Sequence, residues 1–137
     1  NHLPCVYRVN NKSWMTAGLF EEFLSLLDRR MALRNRNIIL FLDQCAAHPK
    51  QVPLQNVKLV FLPANTTMHL QPLDAGLIQN AKHHFKGLLV RRLLAKIDRK
   101  DDDLRISLLD AIHFLAMAWD RVTLTTIANC FAKCSFF

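Results

Sequence analysis

Apolar and polar positions alternate with clear periods in the first half of the chain. Apolar side chains recur at helical spacing from a capping residue, Thr16, to about Arg34, which predicts an amphipathic helix. The apolar runs at 38–42 and 57–62 are too short and too uniform for surface helices, so they predict strands, the first buried on both faces in the centre of a sheet. Residues 3–9 predict a short strand or an extended arm.

The second half of the chain has a helical pattern. Residues 44–55, with two prolines, predict a loop with at most a short helix, and the spacing of apolar residues predicts a long amphipathic helix over 75–97. A further helix is expected over 104–118, after a run of acids, and a final short one begins near Thr125 or Thr126. The order of elements favours an α/β fold with helices covering a sheet.

Two acids occupy the points where these elements begin and end. Asp43 directly follows the first apolar run, and Asp74 precedes the long helix. At about 100° per residue, Asp74 falls on the same helix face as Ala81 and Phe85, so its carboxylate is expected to point inward at the strand ends. Mg²⁺ prefers oxygen ligands and often takes one or two carboxylates. The alternatives are a turn residue for Asp43 and a helix N-cap for Asp74.

Charge adds a candidate binding surface. With 18 basic and 11 acidic residues the formal net charge is +7, which favours a polyanionic partner such as nucleic acid. The long helix carries basic residues that we interpret either as a solvated face or as phosphate contacts: Lys82, Lys86, Arg91, Arg92 and Lys96.

Histidines, cysteines and apolar runs give weaker indications of function. His48 follows Asp43 closely enough to support it or to contact a phosphate, or it is a solvated loop histidine. The four cysteines have no Cys-x-x-Cys spacing, so we expect reduced, mostly buried thiols. No apolar run reaches the length of a membrane span and no signal pattern is present, so we expect a soluble intracellular protein with no membrane partner.

Three motifs resemble one protein family. Residues 40–48 (Leu-Phe-Leu-Asp-Gln-Cys-Ala-Ala-His), 60–67 (Val-Phe-Leu-Pro-Ala-Asn-Thr-Thr) and 70–78 (Leu-Gln-Pro-Leu-Asp-Ala-Gly-Leu-Ile) are similar to the pogo/Tigger-type transposases of the DDE superfamily. That group includes jerky-like proteins and the transposase-like part of centromere protein B. The chain departs from the family at Gln44, where Asn is usual, at Ala64, where a second Pro is usual, and at Ala75, where Gln is usual.

The resemblance implies a ribonuclease H-like fold and a site of three carboxylates holding two Mg²⁺ or Mn²⁺ ions. Asp43 matches the second carboxylate and Asp74 the third, while the first would lie upstream of Leu3. Because the chain starts without methionine, we expect a partial DDE transposase-type domain, truncated at the N-terminus. Residues 1–100 would be its α/β core portion and 101–137 a C-terminal helical extension.

The resemblance also implies a nuclear protein that binds DNA and whose ancestral reaction is two-metal phosphodiester cleavage or strand transfer. A fragment without the first carboxylate should not cut DNA alone. One alternative is a domesticated, non-catalytic DNA-binding or protein-interaction module, and a homo-oligomer is compatible with either function. An unrelated Mg²⁺-dependent phosphatase-like domain is disfavoured because no Asp-x-Asp follows a strand.

Overall fold

The computed structural model describes residues 3–64, 66 and 70–136. Residues 65 and 67–69, which include His69 and part of the second family motif, lie outside the described residues. The described elements are, in order, α1 (Ala17–Leu33), β1 (Ile38–Leu42), β2 (Val57–Phe61), a π-helical turn (Leu73–Leu77), α2 (Ile78–Asp98), α3 (Leu108–Asp120) and α4 (Leu124–Lys133). The predicted mixture of helices and strands is confirmed.

The chain divides into two compact units. One unit, Val9–Thr67, contains α1 and both strands. The other combines Asn1–Arg8 with Met68–Phe137 and contains the π-helical turn, α2, α3 and α4. The subdivision near residue 100 that the sequence suggests stays a prediction.

In the first unit, β1 and β2 pair in parallel, with Ile38 opposite Val57 and Leu42 opposite Phe61. Parallel strands need a long crossover, and residues 43–56 supply it without a helix, as predicted. Phe20 and Leu24 of α1 form a buried cluster with Leu42, and partly buried side chains from both strands and from the crossover pack against this cluster. The helix and the two strands predicted from the pattern are thus confirmed.

The prediction that β1 is buried on both faces is wrong. Ile39 and Phe41 are 55% and 41% exposed, whereas Leu42 is buried. Successive side chains of a strand point to opposite faces of the sheet, and α1 covers only the face that carries Leu40 and Leu42. Residues 3–9 form no strand, because none of these described residues pairs with the two-stranded sheet.

A single carboxylate joins α1 to the start of β2. Asp28 Oδ1 accepts hydrogen bonds from the backbone N–H groups of Gln55 (3.1 Å), Asn56 (2.6 Å) and Val57 (3.0 Å). These N–H groups lie just before or at the start of β2, where the described residues offer them no backbone carbonyl of a neighbouring strand to bind. The carboxylate therefore fixes how the crossover enters β2. The sequence pattern gave no indication of this role.

In the second unit, α3 begins later than expected. The predicted start near residue 104 is wrong because Ser107 is the N-cap of the helix. The Ser107 Oγ accepts a hydrogen bond from the backbone N–H of Asp110 at 3.0 Å and donates one to the Asp110 carboxylate at 2.9 Å. Residues 101–106 form a loop in which Asp103 accepts two side-chain hydrogen bonds from Arg105. The Arg105 guanidinium lowers the pKa of the exposed Asp103 carboxyl below its usual value.

The last helix, α4, contacts the π-helical turn, and α2 contacts α3. Thr123 caps α4 by accepting from the backbone N–H of Thr126, close to the predicted start. All four cysteines are free thiols, as expected, but only two of them are buried. Cys130 and Cys134 are enclosed by the second unit, whereas Cys5 and Cys45 are exposed.

Candidate metal and nucleic-acid site

Asp43 lies where the sequence predicts it, directly after the last residue of β1. Its Oδ1 accepts a hydrogen bond from the backbone N–H of Cys45 at 3.2 Å, an Asx turn that orients the side chain. The same oxygen lies 2.9 Å from Nδ1 of His48. Both contacts use Oδ1, so Oδ2 has no hydrogen-bond partner among the described residues. One carboxylate oxygen is therefore held in place and the other is open to a ligand.

His48 is confirmed as a neighbour of Asp43. Its Nδ1 also lies 3.2 Å from the Asp43 carbonyl oxygen, and its ring centroid is 4.4 Å from that of the buried Phe20. Gln44 contributes at the same strand end, where its amide donates to the carbonyl of Leu62 at 3.2 Å. The loop after β1 is thus tied both to α1 and to the end of β2, which limits how far the Asp43 carboxylate can move.

Asp74 is exposed and lies in the π-helical turn. Neither predicted position, the helix N-cap or the inward face, is correct, because the regular part of α2 begins only at Ile78. Gly76 has a φ of 157°, which is incompatible with an α-helix, so the face extrapolated backwards from Ala81 does not extend to Asp74. The dipeptide Ala-Gly after the acid was the available signal, since glycine often marks such backbone.

The π-helical turn is packed against α4. A Cβ atom built on Gly76 would lie 3.1 Å from Cys130 Sγ, so the glycine is also required by the close approach of this thiol. The Lys133 ammonium lies 3.5 Å from the Ala75 carbonyl oxygen. Leu77, at the end of the turn, is buried. Sequence analysis had not connected Cys130 or Lys133 with the candidate site.

The basic residues of α2 have different surroundings. Arg92 lies 3.7 Å from Asp110, and Lys96 lies 3.5 Å from Asp101 while donating to the Asp103 carbonyl. Both side chains thus hold parts of the helical unit together.

Lys82 and Lys86, by contrast, are exposed and make no hydrogen bond or ion pair with the described residues. With Ile78, Gln79 and His83 they line a groove along α2. The exposed Arg91 donates from its Nε to the Gly87 carbonyl within the same helix. Two of the five predicted phosphate contacts are therefore fully available for a ligand.

Taken one at a time, the two acids differ as possible ligands of a divalent ion. The described residues contain no group of three or more His, Cys, Asp or Glu side chains arranged for a metal ion. Mg²⁺, however, keeps several waters and usually binds one or two carboxylates. Asp43 has the chemistry of such a ligand, since one oxygen is oriented and the other is open. Asp74 offers an exposed carboxylate.

A family model described as "DDE superfamily endonuclease" matches residues 1–131 of the chain. The chain belongs to this family. The match extends from before α1 to within α4, so both acids and the basic helix lie inside the DDE region. The resemblance seen in the three motifs is confirmed.

Curated relatives of this DDE chain include transposon-derived proteins. The Tigger transposable element-derived protein 4 of Mus musculus is 30% identical over 134 residues, covering 98% of the chain and 26% of that protein. The Major centromere autoantigen B of Homo sapiens is 33% identical over 136 residues, 98% of the chain and 22% of that protein. A human Jerky protein homolog is 25% identical over 132 residues, 88% of the chain and 22% of that protein.

The DDE chain thus spans about a quarter of the length of these curated relatives. No solved structure gives a significant match. Among the described residues, no helix combines the length and the hydrophobicity that crossing a lipid bilayer requires.

Proposed function

We propose that the protein containing this chain acts on DNA as a transposase-derived DDE endonuclease, with Asp43 and Asp74 as two of its metal ligands. The observation that carries the proposal is the state of Asp43 at the end of β1: Oδ1 is held by His48 and the Cys45 N–H, and Oδ2 is open. An Asx turn requires only the contact with the Cys45 N–H, so the histidine contact is a restraint on this carboxylate in addition to the turn. Membership of the DDE family supports the same conclusion.

The finer fold assignment is part of this proposal. A ribonuclease H-like sheet with covering helices would place acids at the carboxyl ends of parallel strands, where α/β proteins commonly bind ligands. The parallel pairing of β1 and β2, with α1 packed on one face, supports this assignment. The sheet face with the exposed Ile39 and Phe41 is the face on which such a fold carries further covering elements.

In this proposal the chain positions the ions and holds DNA. Bound Mg²⁺ or Mn²⁺ would activate a water or a 3′-hydroxyl and stabilise the leaving oxygen of the phosphodiester. His48 and the Cys45 N–H orient the Asp43 carboxylate, and the π-helical turn orients that of Asp74. Lys82 and Lys86 contact phosphates, which fixes the DNA without reading its sequence. We place the protein in the nucleus, because DNA is its substrate.

Nicking of supercoiled plasmid by the full-length protein tests the proposal. We expect Mg²⁺- or Mn²⁺-dependent nicking that Asp43→Asn and Asp74→Asn each abolish, because an amide cannot replace a charged carboxylate ligand. Asp102→Asn, an exposed acid of the same chain, is the control and should nick normally. Nicking that survives in either active-site variant contradicts the assignment. If salt-sensitive DNA binding is present without any nicking, the protein is instead a domesticated DNA-binding module.

DNA binding is expected to depend on two of the basic residues more than on the others. Replacing Lys82 and Lys86 together by Gln should weaken binding and reduce the slope of log K against log salt by about 2, since each phosphate contact contributes about one unit. Arg92→Gln should lower thermal stability and leave the slope nearly unchanged, because its guanidinium is paired with Asp110. Electrophoretic mobility shifts at several salt concentrations measure the salt slopes of both variants, and thermal unfolding measures their stability. The reverse ranking would place the DNA on another face.

A further inference from the structure

Asp74 is held very differently from Asp43. Its carboxylate makes no hydrogen bond to the described residues, and its backbone N–H donates to the Gln71 carbonyl at 3.1 Å. Pro72, which precedes the turn, provides no side-chain cap. Among the described residues no side chain restrains this carboxylate, so the place from which it extends depends on the backbone of the π-helical turn.

Two side chains of α4 contact the backbone of that turn. Cys130 Sγ occupies the space next to Gly76, 3.1 Å from where a Cβ would stand. The Lys133 ammonium lies 3.5 Å from the Ala75 carbonyl oxygen. Gly76 has a non-helical conformation at a kink inside the turn, and irregular backbone of this kind persists only where its surroundings favour it. Cys130 and Lys133 touch the two residues that follow Asp74.

We propose that Cys130 and Lys133 are positioning residues for Asp74, and that α4 holds the π-helical turn in the conformation that presents this carboxylate to a divalent cation. The thiol fills the gap that only glycine leaves open, and the ammonium restrains the neighbouring carbonyl. The restraint of the turn stands on the contacts alone. The effect on the cation rests on the proposed function, because it requires Asp74 to be a metal ligand.

Cys134 provides a matched control on the same helix. It is as well buried as Cys130, with 3% against 7% of its surface exposed. Its side chain, however, does not come within 4 Å of a Cβ position at Gly76. A variant at Cys134 therefore loses a buried thiol without losing the contact of Cys130 with Gly76. If Cys130 were only part of the core, the two cysteines would behave alike.

Amide hydrogen exchange in the full-length protein tests the restraint without any metal. Cys130→Ala and Lys133→Met are expected to speed exchange in the peptide that covers the π-helical turn, because local opening becomes easier. Cys134→Ala should leave that peptide at the rate of the unsubstituted protein. Lys133 is exposed, so Lys133→Met should keep the thermal midpoint and separate the restraint from general stability. Unchanged exchange in both variants, or an equal increase in Cys134→Ala, overturns the proposal.

Calorimetric titration with Mn²⁺ tests the second step. Cys130→Ala and Lys133→Met should each weaken Mn²⁺ binding by about tenfold, as the loss of groups that orient a ligand commonly does. Asp74→Asn is the reference. If Asp74→Asn itself leaves Mn²⁺ affinity unchanged, the proposed metal role of Asp74 fails while the exchange result still decides the restraint. If Asp74→Asn weakens binding but the two α4 variants do not, the positioning role is overturned.

Discussion

Asp28→Ala is expected to lower the free energy of unfolding by about 3 kcal/mol. A hydrogen bond to a charged group contributes about 1.5–3 kcal/mol, and the full sum for three bonds is not expected because the exposed N–H of Gln55 can bind water in the variant. The variant removes one acceptor from three backbone N–H groups, those of Gln55, Asn56 and Val57. Two of these residues are at least partly buried, so their N–H groups are poorly placed to bind water instead.

Urea denaturation followed by circular dichroism measures this effect. Asp28→Asn keeps an oxygen acceptor but loses the charge, so we expect roughly half the loss, because charge-assisted hydrogen bonds are about twice as strong as neutral ones. Asp98→Ala, an exposed acid near the end of α2, should change stability by less than about 0.5 kcal/mol. A loss at Asp28 no larger than that at Asp98 would show that the three hydrogen bonds do not stabilise the crossover.

Gly76→Ala is expected to destabilise the second unit by at least about 2 kcal/mol. Alanine at a φ of 157° is strained, and strained backbone of this kind costs about 1–3 kcal/mol. The new Cβ would also lie 3.1 Å from Cys130 Sγ, closer than ordinary van der Waals contact. The two costs add, because the thiol is buried and has little space into which to move.

Thermal unfolding and a second substitution separate these two costs. In the background of Cys130→Gly the contact is gone, so Gly76→Ala should cost less there than in the unsubstituted protein, by the part that is due to the thiol. Gly18→Ala, where nothing lies within 4 Å of the added Cβ and the residue is helical, should be neutral or slightly stabilising. Equal costs of Gly76→Ala in both backgrounds would assign the whole effect to backbone strain.

Apolar spacing was sufficient for the elements of the first unit. The strand Ile38–Leu42 and the helix Ala17–Leu33 occur where the pattern predicts them, because a buried face imposes its period on the sequence. Exposure of the second sheet face was missed. A run of five apolar residues looks the same whether one face or both are covered, so the exposed Ile39 and Phe41 cannot be distinguished from core residues by composition.

The sequence predicted the position of one candidate ligand, Asp43, but not that of the other, Asp74. Asp43 follows from the end of a strand, which the pattern defines sharply. Asp74 was placed by continuing a helical period through Gly76, and this failed because one residue of positive φ changes the direction of the chain. The sequence signal for helix α2 was correct from Ile78 onward.

The charges of α2 show a different limit. Counting Lys and Arg on a helix gives the sign of a surface, but the acids that neutralise some of them lie in other elements. Asp110 belongs to α3, and Asp101 to the loop before it. These partners become visible only when α2 and α3 are packed together, so the difference between Lys82 and Arg92 required the structure.

The π-helical turn also determines which changes of chain length this region tolerates. Gly76 is non-helical and separates Asp74 from the regular helix that begins at Ile78, so the direction of Asp74 depends on the length of chain between them. A residue inserted into or deleted from Leu73–Leu77 would therefore move Asp74 relative to α2. A change of length that most surface loops accept would thus displace this carboxylate without altering any of its atoms, and aligned relatives should keep constant spacing here even where their residues differ.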